Sequence, residues 1–354
     1  SAMDGYAFSS KDIKPNQAFC LSLAGVSWAG KSYSGKLLAN QCIRIFTGAV
    51  IPHEADSVIM QELIRKQQNE ITFPANTQSK QNVREVGDDI AQGSELILAP
   101  KKLTAIDIGL LASAGIYDVA VKRKINIAFL STGDELCSIG LTLKPSQIYD
   151  SNRYTLSGLL DNASFNINDL GVVADNKQQL KETLTSAAKV HDVIISTGGA
   201  SVGDADYIKE ILDECGQVDF WKIAIKPGKP LAFGKINDCY FFGLPGNPVS
   251  VIATFHKIVQ PALHYLLGVT ATKPLSIQAI CTSNLRKQKG RQEYQRGILS
   301  QNESGEFYVK SAGAQGSNIM SAMSKANCYI VLPIQLEGVS EGQKVMVEPF
   351  STHI

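Results

Sequence analysis

The pattern of apolar and polar residues predicts different structure in the first part of the chain and in the segment that follows it. Residues 1–88 carry short apolar runs separated by turn residues, and these runs predict strands at 42–46, 57–64 and 70–73. Residues 104–113 instead place apolar side chains at helical spacing. A threonine at the start of this stretch, followed three positions later by an acid, predicts a helix N-terminus there.

From residue 125 to residue 268 the pattern alternates between short apolar runs and amphipathic stretches. Apolar runs at 125–130 and 192–196 predict buried strands, while stripes at 177–190 and 248–267 predict helices. Alternating strands and helices are typical of a mostly parallel sheet with helices on both faces. Short apolar runs return after residue 275 and predict a small β domain.

The predicted fold class is therefore a multidomain α/β plus β protein. A chain of 354 residues favours two or three domains, because a domain has roughly 150 residues. We predict an N-terminal β-rich domain over 1–88, a linker over 89–124, a three-layer α/β domain over 125–274, and a C-terminal β-barrel-like domain over 275–354.

Composition and charge exclude several classes of protein. Lys and Arg number 34 against 33 Asp and Glu, so a net charge of +1 argues against a general nucleic-acid binder. Polar residues interrupt the longest apolar stretch, 251–267, which therefore predicts a buried helix and no membrane span. The N-terminal residues do not resemble a secretory signal. We accordingly predict a cytoplasmic protein.

The cysteines and histidines do not have the spacing of a zinc site. Seven cysteines are scattered singly, without a C-x-x-C pair, and the five histidines lie far apart. An odd number of separated cysteines in a chain with a large core favours reduced thiols. Any bound metal is expected to be a hard cation held by carboxylates.

The first candidate binding loop directly follows the predicted strand at 125–130. In an open α/β sheet, ligands bind beyond the carboxyl ends of the strands. Ser131, Thr132 and Gly133 offer hydroxyls and a flexible amide beside Asp134 and Glu135. This arrangement suits a phosphate and its metal, and the alternative interpretation is a turn with an acidic helix cap.

The second candidate loop follows the predicted strand at 192–196. Gly198, Gly199 and Gly203 leave the backbone free to wrap an anion, Ser201 adds a hydroxyl, and a helix that begins behind the loop adds its positive end. Two acids, the second of them Asp206, close the loop. No Gly-Lys-Ser/Thr ends it, so it is not a Walker A loop. A purely structural glycine turn is the alternative.

The third candidate site combines lysines with rigid loops. Lys222, Lys226 and Lys229 surround a Pro-Gly turn, and the Leu-Pro-Gly-Asn-Pro segment with Pro245 and Pro248 forms a stiff loop before the next helix. Each lysine alone is more typical of a solvated surface. Three anion-compatible loops in one α/β unit, however, predict a pocket for a phosphorylated ligand.

Other candidate residues lie beside glycines or at the ends of predicted elements. Asp4, Thr47 and Asp89 belong to loop-like glycine segments, and Asp175 falls where a predicted element begins. By composition each is more typical of a turn than of a site, because Asp and Thr are ordinary at such positions.

One series of motifs resembles a known family. Residues 1–7, Ser-Ala-Met-Asp-Gly-Tyr-Ala, resemble the S-x-M-D-G-Y-A signature of the molybdopterin molybdenumtransferases, the MoeA family, to which the gephyrin E domain is related. Similar motifs follow in order along nearly the whole chain, at 46–49, 52–56, 87–90, 130–136, 148–152, 196–207, 226–230, 243–250 and 313–317. The chain departs from the family at His53, where a small residue is usual, and it lacks the segment that precedes the signature.

The resemblance implies an enzyme of molybdenum cofactor biosynthesis with a MogA-like molybdopterin-binding central domain. Such an enzyme inserts molybdate into adenylylated molybdopterin and releases AMP. The resemblance also implies a Mg²⁺ cofactor, a homodimer that uses the 89–124 region, and the molybdopterin adenylyltransferase as a partner.

The resemblance also assigns roles to residues of this chain. The implied catalytic acids are Asp4, Asp89, Glu135, Asp175 and Asp206, with Glu135 and Asp206 as metal ligands. The implied substrate-binding residues are Thr47, Ser131, Thr132, Gly133, Gly198, Gly199, Ser201, Gly203, Lys222, Lys226, Lys229, Pro245, Pro248 and Ser317.

Two other functions remain open at this point. The related adenylyltransferase domain has the same α/β fold and would use ATP. A gephyrin-like scaffold would use a groove to bind a peptide without catalysis. Release of AMP in the presence of molybdate and adenylylated molybdopterin separates the three hypotheses.

Overall fold

A computed structural model describes residues 1–198, 207–269 and 273–350 of the chain. The chain divides into two compact units. One contains Ser1–Ile97 and Asp107–Gly115, and the other contains Leu98–Ile106 and Ile116–Ile354. Within the described residues, no helix is both long and apolar enough to cross a membrane.

The first unit is built on a six-stranded sheet whose strands lie in the order β4-β1-β3-β2-β6-β5. The β2–β3 pair is parallel, and the other neighbours are antiparallel. The strands are β1 (Gly5–Phe8), β2 (Phe19–Ser27), β3 (Gln41–Ile45), β4 (Ser57–Met60), β5 (Arg65–Gln67) and β6 (Glu70–Phe73). Short 3₁₀ turns follow β1 at Ser10–Asp12 and β4 at Gln61–Leu63, and helix α1 spans Ala105–Ser113.

Alternating side chains along these strands form two cores, one on each face of the sheet. Phe8, Phe19 and Phe73 pack on one face, where the ring centroids of Phe19 and Phe73 lie 5.1 Å apart. Ala7 and Ile43 belong to the other face. Since successive side chains of a strand point to opposite faces, neighbours such as Ala7 and Phe8 enter different cores.

The pattern predicted β3 and β6 correctly but predicted a longer β4 than the structure has. The predicted strand at 57–64 ends at Met60, because the next three residues form a 3₁₀ turn. Strands β1 and β2 were not predicted from the pattern. In β1 all four residues are buried, so it has no alternation to detect.

The second unit contains a six-stranded sheet in the order β10-β7-β11-β15-β14-β12. The first four strands run parallel, while β14 and β12 are antiparallel to their neighbours. The strands of this region are β7 (Ile125–Thr132), β8 (Leu136–Cys137), β9 (Ile148–Tyr149), β10 (Phe165–Val173), β11 (Val193–Thr197), β12 (Gly216–Lys222), β13 (Ile225–Lys226), β14 (Pro230–Ile236) and β15 (Cys239–Leu244).

Helices cover both faces of this sheet, as the sequence predicts. On one face Ala128 and Leu130 of β7 pack with helix residues such as Leu184 and Ile211. On the other face Ile127 and Phe129 pack with a different set of helices. The helices are α2 (Asn152–Leu159), α3 (Lys177–Ala188), α4 (Tyr207–Cys215), α5 (Pro248–Thr254) and α6 (Gln260–Leu266). The predicted three-layer α/β domain is therefore confirmed.

The long helix predicted at 248–267 contains a π-helical segment. Helices α5 and α6 are joined by a π turn at Phe255–Val259. Pro261 follows this turn and has no N–H to donate to the carbonyl four residues earlier, so regular α-helical bonding cannot continue through it. The apolar spacing predicts the helix but does not reveal this change of pitch.

The C-terminal part of the second unit is a small closed barrel. Its sheet has the order β13-β18-β19-β16-β22-β20, and β18 also pairs with β20, which closes the barrel. This confirms the barrel-like domain that the sequence predicts. Its elements are β16 (Ile277–Cys281), β17 (Leu285–Arg286), β18 (Gln292–Gln301), β19 (Phe307–Ser311), α7 (Met320–Lys325), β20 (Cys328–Leu332), β21 (Gly338–Val339) and β22 (Lys344–Pro349).

Candidate functional site

Three loops meet at the carboxyl edge of the parallel strands in the second unit. Gly198 follows β11 with a φ of +83°, and a Cβ added there would lie 2.1 Å from the Thr132 carbonyl oxygen at the end of β7. A Cβ on Gly246, which follows β15, would lie 3.9 Å from the Gly198 Cα. Only glycine permits so close an approach at position 198, and this contact brings the loops together.

The three loops and the segment 148–152 line a cavity of about 90 Å³. Its polar lining comes mainly from threonine, serine and acidic side chains and from glycine backbone. The lining residues are Thr132, Glu135, Leu136, Ile148, Tyr149, Asp150, Ser151, Asn152, Thr197, Gly198, Gly246 and Pro248. Four of these, Thr132, Glu135, Gly198 and Pro248, were predicted from sequence as site residues.

Hydrogen bonds fix the hydroxyl groups beneath this cavity. The buried hydroxyls of Ser131 and Thr197 lie 3.1 Å apart on adjacent strands. The Thr132 hydroxyl donates to the Asp175 carboxylate at 2.6 Å, and the Asp175 backbone N–H donates to Asp134 at 3.2 Å. The structure therefore joins Asp175 to the loop that contains Gly133 and Glu135.

The acids around this loop offer hard oxygen ligands but do not form a complete metal site. Glu135 is exposed and its carboxylate lies over Gly133, where an added Cβ would be 2.5 Å from Oε2. Within residues 1–198, 207–269 and 273–350, no three His, Cys, Asp or Glu side chains are grouped as a metal site would require. Asp206, Gly199, Ser201 and Gly203 lie outside the described residues.

The three lysines of the predicted anion-binding loop have different environments in the structure. Lys222 and Lys229 are exposed, but the Lys226 ammonium lies 3.1 Å from a carboxylate oxygen of Glu293 in the barrel. Gly228 has a φ of +109° and faces the Thr254 methyl group of α5. The loop is thus anchored to its neighbours, and one of its three lysines is paired.

The barrel supplies a second loop beside α5. The Val249 backbone N–H donates to the Ser317 carbonyl oxygen at 3.0 Å, so Ser317 lies at the start of the helix that Pro248 begins. Arg296 holds the same loop, because its Nη2 donates to the carbonyl oxygens of Ala314 and Gly316 at 2.9 and 3.0 Å. Pro245 is buried at the preceding strand end.

Arg296 is a candidate site residue that the sequence did not indicate. Its side chain is only 1% exposed, its Nε has no hydrogen-bond partner among the described residues, and no carboxylate there forms an ion pair with it. A buried positive charge without a counter-ion suits an anion beside the Ser317 loop. The local sequence does not predict this burial, because an arginine within a strand is usually expected to face the solvent.

Asn152 and Asp150 were also missed as lining residues. The Asn152 side-chain N–H donates to the Gly246 carbonyl oxygen at 2.7 Å, which ties the start of α2 to the loop after β15. Asp150 is 1% exposed, and its Oδ1 accepts the backbone N–H groups of Asn152 and Arg153. The signal was available, since both residues belong to the 148–152 motif.

The first unit has its own pair of polar side chains, Asp4 and Thr47. Asp4 accepts hydrogen bonds from the Thr47 backbone N–H at 2.8 Å and from the Thr47 hydroxyl at 2.9 Å. These two bonds, with a smaller contribution from Arg44, lower the pKa of Asp4. Asp89 is exposed in a turn and has no hydrogen bond to either residue. The structure therefore joins Asp4 to Thr47 but not to Asp89.

We expect Thr47→Val to raise the pKa of Asp4 partway toward its ordinary value. The substitution removes the hydroxyl donor and keeps the backbone donor, so one of the two bonds that favour the carboxylate is lost. An NMR titration of the Asp4 side-chain carbon measures the shift. Thr77→Val, which alters a hydroxyl bonded to the Pro74 carbonyl, is the control. An unchanged Asp4 titration in Thr47→Val would contradict the interpretation.

The fold and the cavity together define an α/β ligand-binding protein with flanking β domains. Three family descriptions match successive parts of the chain. "MoeA N-terminal region (domain I and II)" matches residues 1–115, "Probable molybdopterin binding domain" matches 128–265, and "MoeA C-terminal region (domain IV)" matches 278–350.

The chain belongs to the MoeA family of molybdopterin molybdenumtransferases. It is 44% identical to the molybdopterin molybdenumtransferase of Haemophilus influenzae over 99% of this chain and 87% of that protein. A gephyrin of Dictyostelium discoideum is 33% identical over 86% of this chain, but over only 47% of its own length. A crystal structure of the molybdopterin biosynthesis MoeA protein from Pyrococcus superposes with a TM-score of 0.81, 30% identity, and coverage of 100% and 88%.

Proposed function

We propose that this protein inserts molybdenum from molybdate into adenylylated molybdopterin with release of AMP. The observation that carries the proposal is the cavity at the carboxyl edge of the sheet, where three glycine-containing loops meet in a chain with all three MoeA regions. Backbone amides and hydroxyls at such an edge suit the phosphate groups of the substrate. The 44% identity over nearly the whole chain supports the same reaction.

In the proposed reaction the adenylate linkage is cleaved, AMP leaves, and the dithiolene sulfurs of molybdopterin take up the molybdenum. Thr132 and the backbone at Gly198 would hold the phosphate groups at the cavity. Lys222 and Lys226 would offset the negative charge of the oxyanion, and the buried Arg296 would add positive charge beside Ser317. These roles rest on placement and charge.

A divalent cation, Mg²⁺ by preference, is the proposed cofactor. Glu135 and Asp206, the metal ligands that the family resemblance implies, would hold it, because carboxylate oxygens are the ligands that this cation prefers. When bound, it would neutralise charge on the phosphate oxygens. Thr132 and Asp175 orient the loop that carries Glu135, and the Asp4–Thr47 pair of the first unit is a separate proposed locus.

We further propose a cytoplasmic homodimer that receives its substrate from the molybdopterin adenylyltransferase. Large apolar side chains in the predicted 89–124 dimerisation region are exposed, among them Ile106 at 82% and Tyr117 at 100%. Exposed apolar surface of this kind is typical of protein–protein interfaces. Sedimentation of the protein tests the dimer.

We also propose that the domains of the chain meet at residues 88, 124 and 274.

The experiment that tests the function measures AMP release from adenylylated molybdopterin with molybdate and Mg²⁺. We expect Glu135→Gln to lower the rate about tenfold, since removing a charged ligand costs on the order of 1.4 kcal/mol or more. Glu182→Gln changes an exposed acid of α3 and should leave the rate unchanged. Formation of pyrophosphate from ATP and molybdopterin, without molybdate-dependent release of AMP, would instead favour an adenylyltransferase. Absence of any turnover would favour a scaffold.

A further inference from the structure

Glu293 is a buried acid whose carboxylate is fixed on both oxygens. Its side chain is only 4% exposed, and its Oε1 lies 3.1 Å from the Lys226 ammonium. Its Oε2 accepts a hydrogen bond from the Gln295 side-chain amide at 3.1 Å, and the same amide donates to the Arg286 carbonyl oxygen at 2.8 Å. The carboxylate therefore has little freedom to move.

The backbones of the two segments are joined at the same place. Lys226 and Glu293 are register partners in the parallel β13–β18 pair, and the Gln292 backbone N–H donates to the Ala224 carbonyl oxygen at 3.0 Å. Residues that are 67 positions apart are thus connected through both backbone and side chains. The barrel carries the acid, and the α/β domain carries the lysine loop.

The lysine side of the pair keeps capacity to bind another group. The Lys226 side chain is 43% exposed, and an ammonium has three N–H donors, of which Glu293 takes one. A free lysine stem has several rotatable bonds and loses rotamer entropy when it is fixed. A buried, immobile carboxylate removes much of that freedom before an anion binds.

We propose that Glu293 is a positioning residue that holds the Lys226 ammonium in place for the oxyanion substrate. This rests on the proposed function, in which Lys226 offsets the charge of molybdate. The carboxylate also lowers the net charge of the pair, so its removal should strengthen general attraction for anions while loosening the lysine. Glu293 therefore fixes the position of the Lys226 ammonium, although it also reduces the net positive charge that an anion meets there.

A double-mutant cycle on the full chain tests this inference through Lys226→Met, Glu293→Gln and the double variant. We expect Glu293→Gln to lower kcat about tenfold without raising KM for molybdate, because charged hydrogen bonds are usually worth at least that factor. In the Lys226→Met background the same change should cost less than about twofold, since residues that act through one another are not additive.

Glu348→Gln is the matched control. Glu348 pairs with Lys257 and also joins the barrel to the α/β domain, but it does not contact Lys226. Glu348→Gln should change kcat only slightly, and by the same factor in the wild-type chain and in the Lys226→Met chain. An equal loss from Glu293→Gln in both backgrounds would show a general structural role and overturn the proposal, and so would coupling between Glu348 and Lys226.

An NMR readout separates this inference from the proposed function. In protein whose lysines carry ¹³C at the Cε position, which leaves the ammonium unmodified, we expect molybdate to shift the Lys226 signal, which the Lys226→Met variant identifies, and to shift it less in Glu293→Gln. A wild-type shift that Glu293→Gln leaves unchanged overturns the positioning role, as does the lack of any wild-type shift. Normal shifts without AMP release would overturn the proposed reaction alone. Full activity of Lys226→Met would overturn both the proposed role of Lys226 in offsetting the charge of molybdate and the positioning role of Glu293.

Discussion

Replacing Gly198 by alanine is expected to reduce AMP release at least a hundredfold. The residue has a φ of +83°, and its new Cβ would lie 2.1 Å from the Thr132 carbonyl oxygen. The left-handed backbone costs roughly 1–2 kcal/mol for alanine, and the clash with rigid backbone adds to it. Since the Thr132 and Gly198 loops form the cavity together, they must separate and the cavity must change shape. Steady-state kinetics of the purified variant measure the loss.

Gly140→Ala is a matched control for this substitution. Gly140 has a similar φ of +88°, but an added Cβ would have no atom within 4 Å. It should therefore show the backbone cost in its melting temperature and nearly normal activity. If Gly140→Ala and Gly198→Ala have the same activity, the close approach of the two loops is not what the reaction requires.

Acidification is expected to destabilise the second unit through His256. This residue lies in the π turn, its Nδ1 is 3.2 Å from the Tyr329 hydroxyl, and its ring packs against Phe350. Burial, with a smaller contribution from Lys257, lowers the pKa of His256 from 6.5 to about 4. Lys257 itself is paired with Glu348.

Stability falls as the pH falls because His256 binds a proton more readily in the unfolded chain than in the folded one. Between pH 6.5 and pH 4 the unfolded histidine is protonated and the folded one is neutral, so acid favours unfolding. The stabilisation is complete above pH 6.5 and is lost as the pH falls toward 4, by about 3 kcal/mol. Urea unfolding at a series of pH values measures it.

His256→Gln should remove most of this dependence between pH 6.5 and pH 4, because glutamine does not titrate there. His53→Gln changes an exposed histidine of the first unit and should leave the dependence as in the wild type. A wild-type slope that survives in His256→Gln would assign the pH effect to other groups.

Regular, long or one-sided elements were predictable from the sequence. Helix α3 follows from apolar residues at helical spacing, and the buried strands β7 and β11 follow from short, continuous apolar runs between turn residues. The strand-end loops were predictable because parallel strands bring their carboxyl ends to one edge. Thr132, Glu135 and Gly198 could thus be placed together before any coordinates.

Residues whose environment comes from a distant segment were not predictable in this way. The pairing of Lys226 with Glu293 and the burial of Arg296 depend on how the barrel packs against the α/β domain. Nothing in the local sequence near 226 or 296 records the other partner. The motif pattern could therefore place Lys226 in an anion-compatible loop, but it could not show that Glu293 is its counter-ion.

Local sequence patterns are enough to predict the order of the elements, the class of the central domain and the loops that carry its polar groups. Those properties depend on hydrophobic periodicity and on turn residues, which act over a few positions of the chain. The folded structure is needed to show which charges are paired and how closely the Gly198 and Thr132 loops approach. Those properties depend on contacts between residues far apart in sequence, and such contacts exist only once the chain has folded.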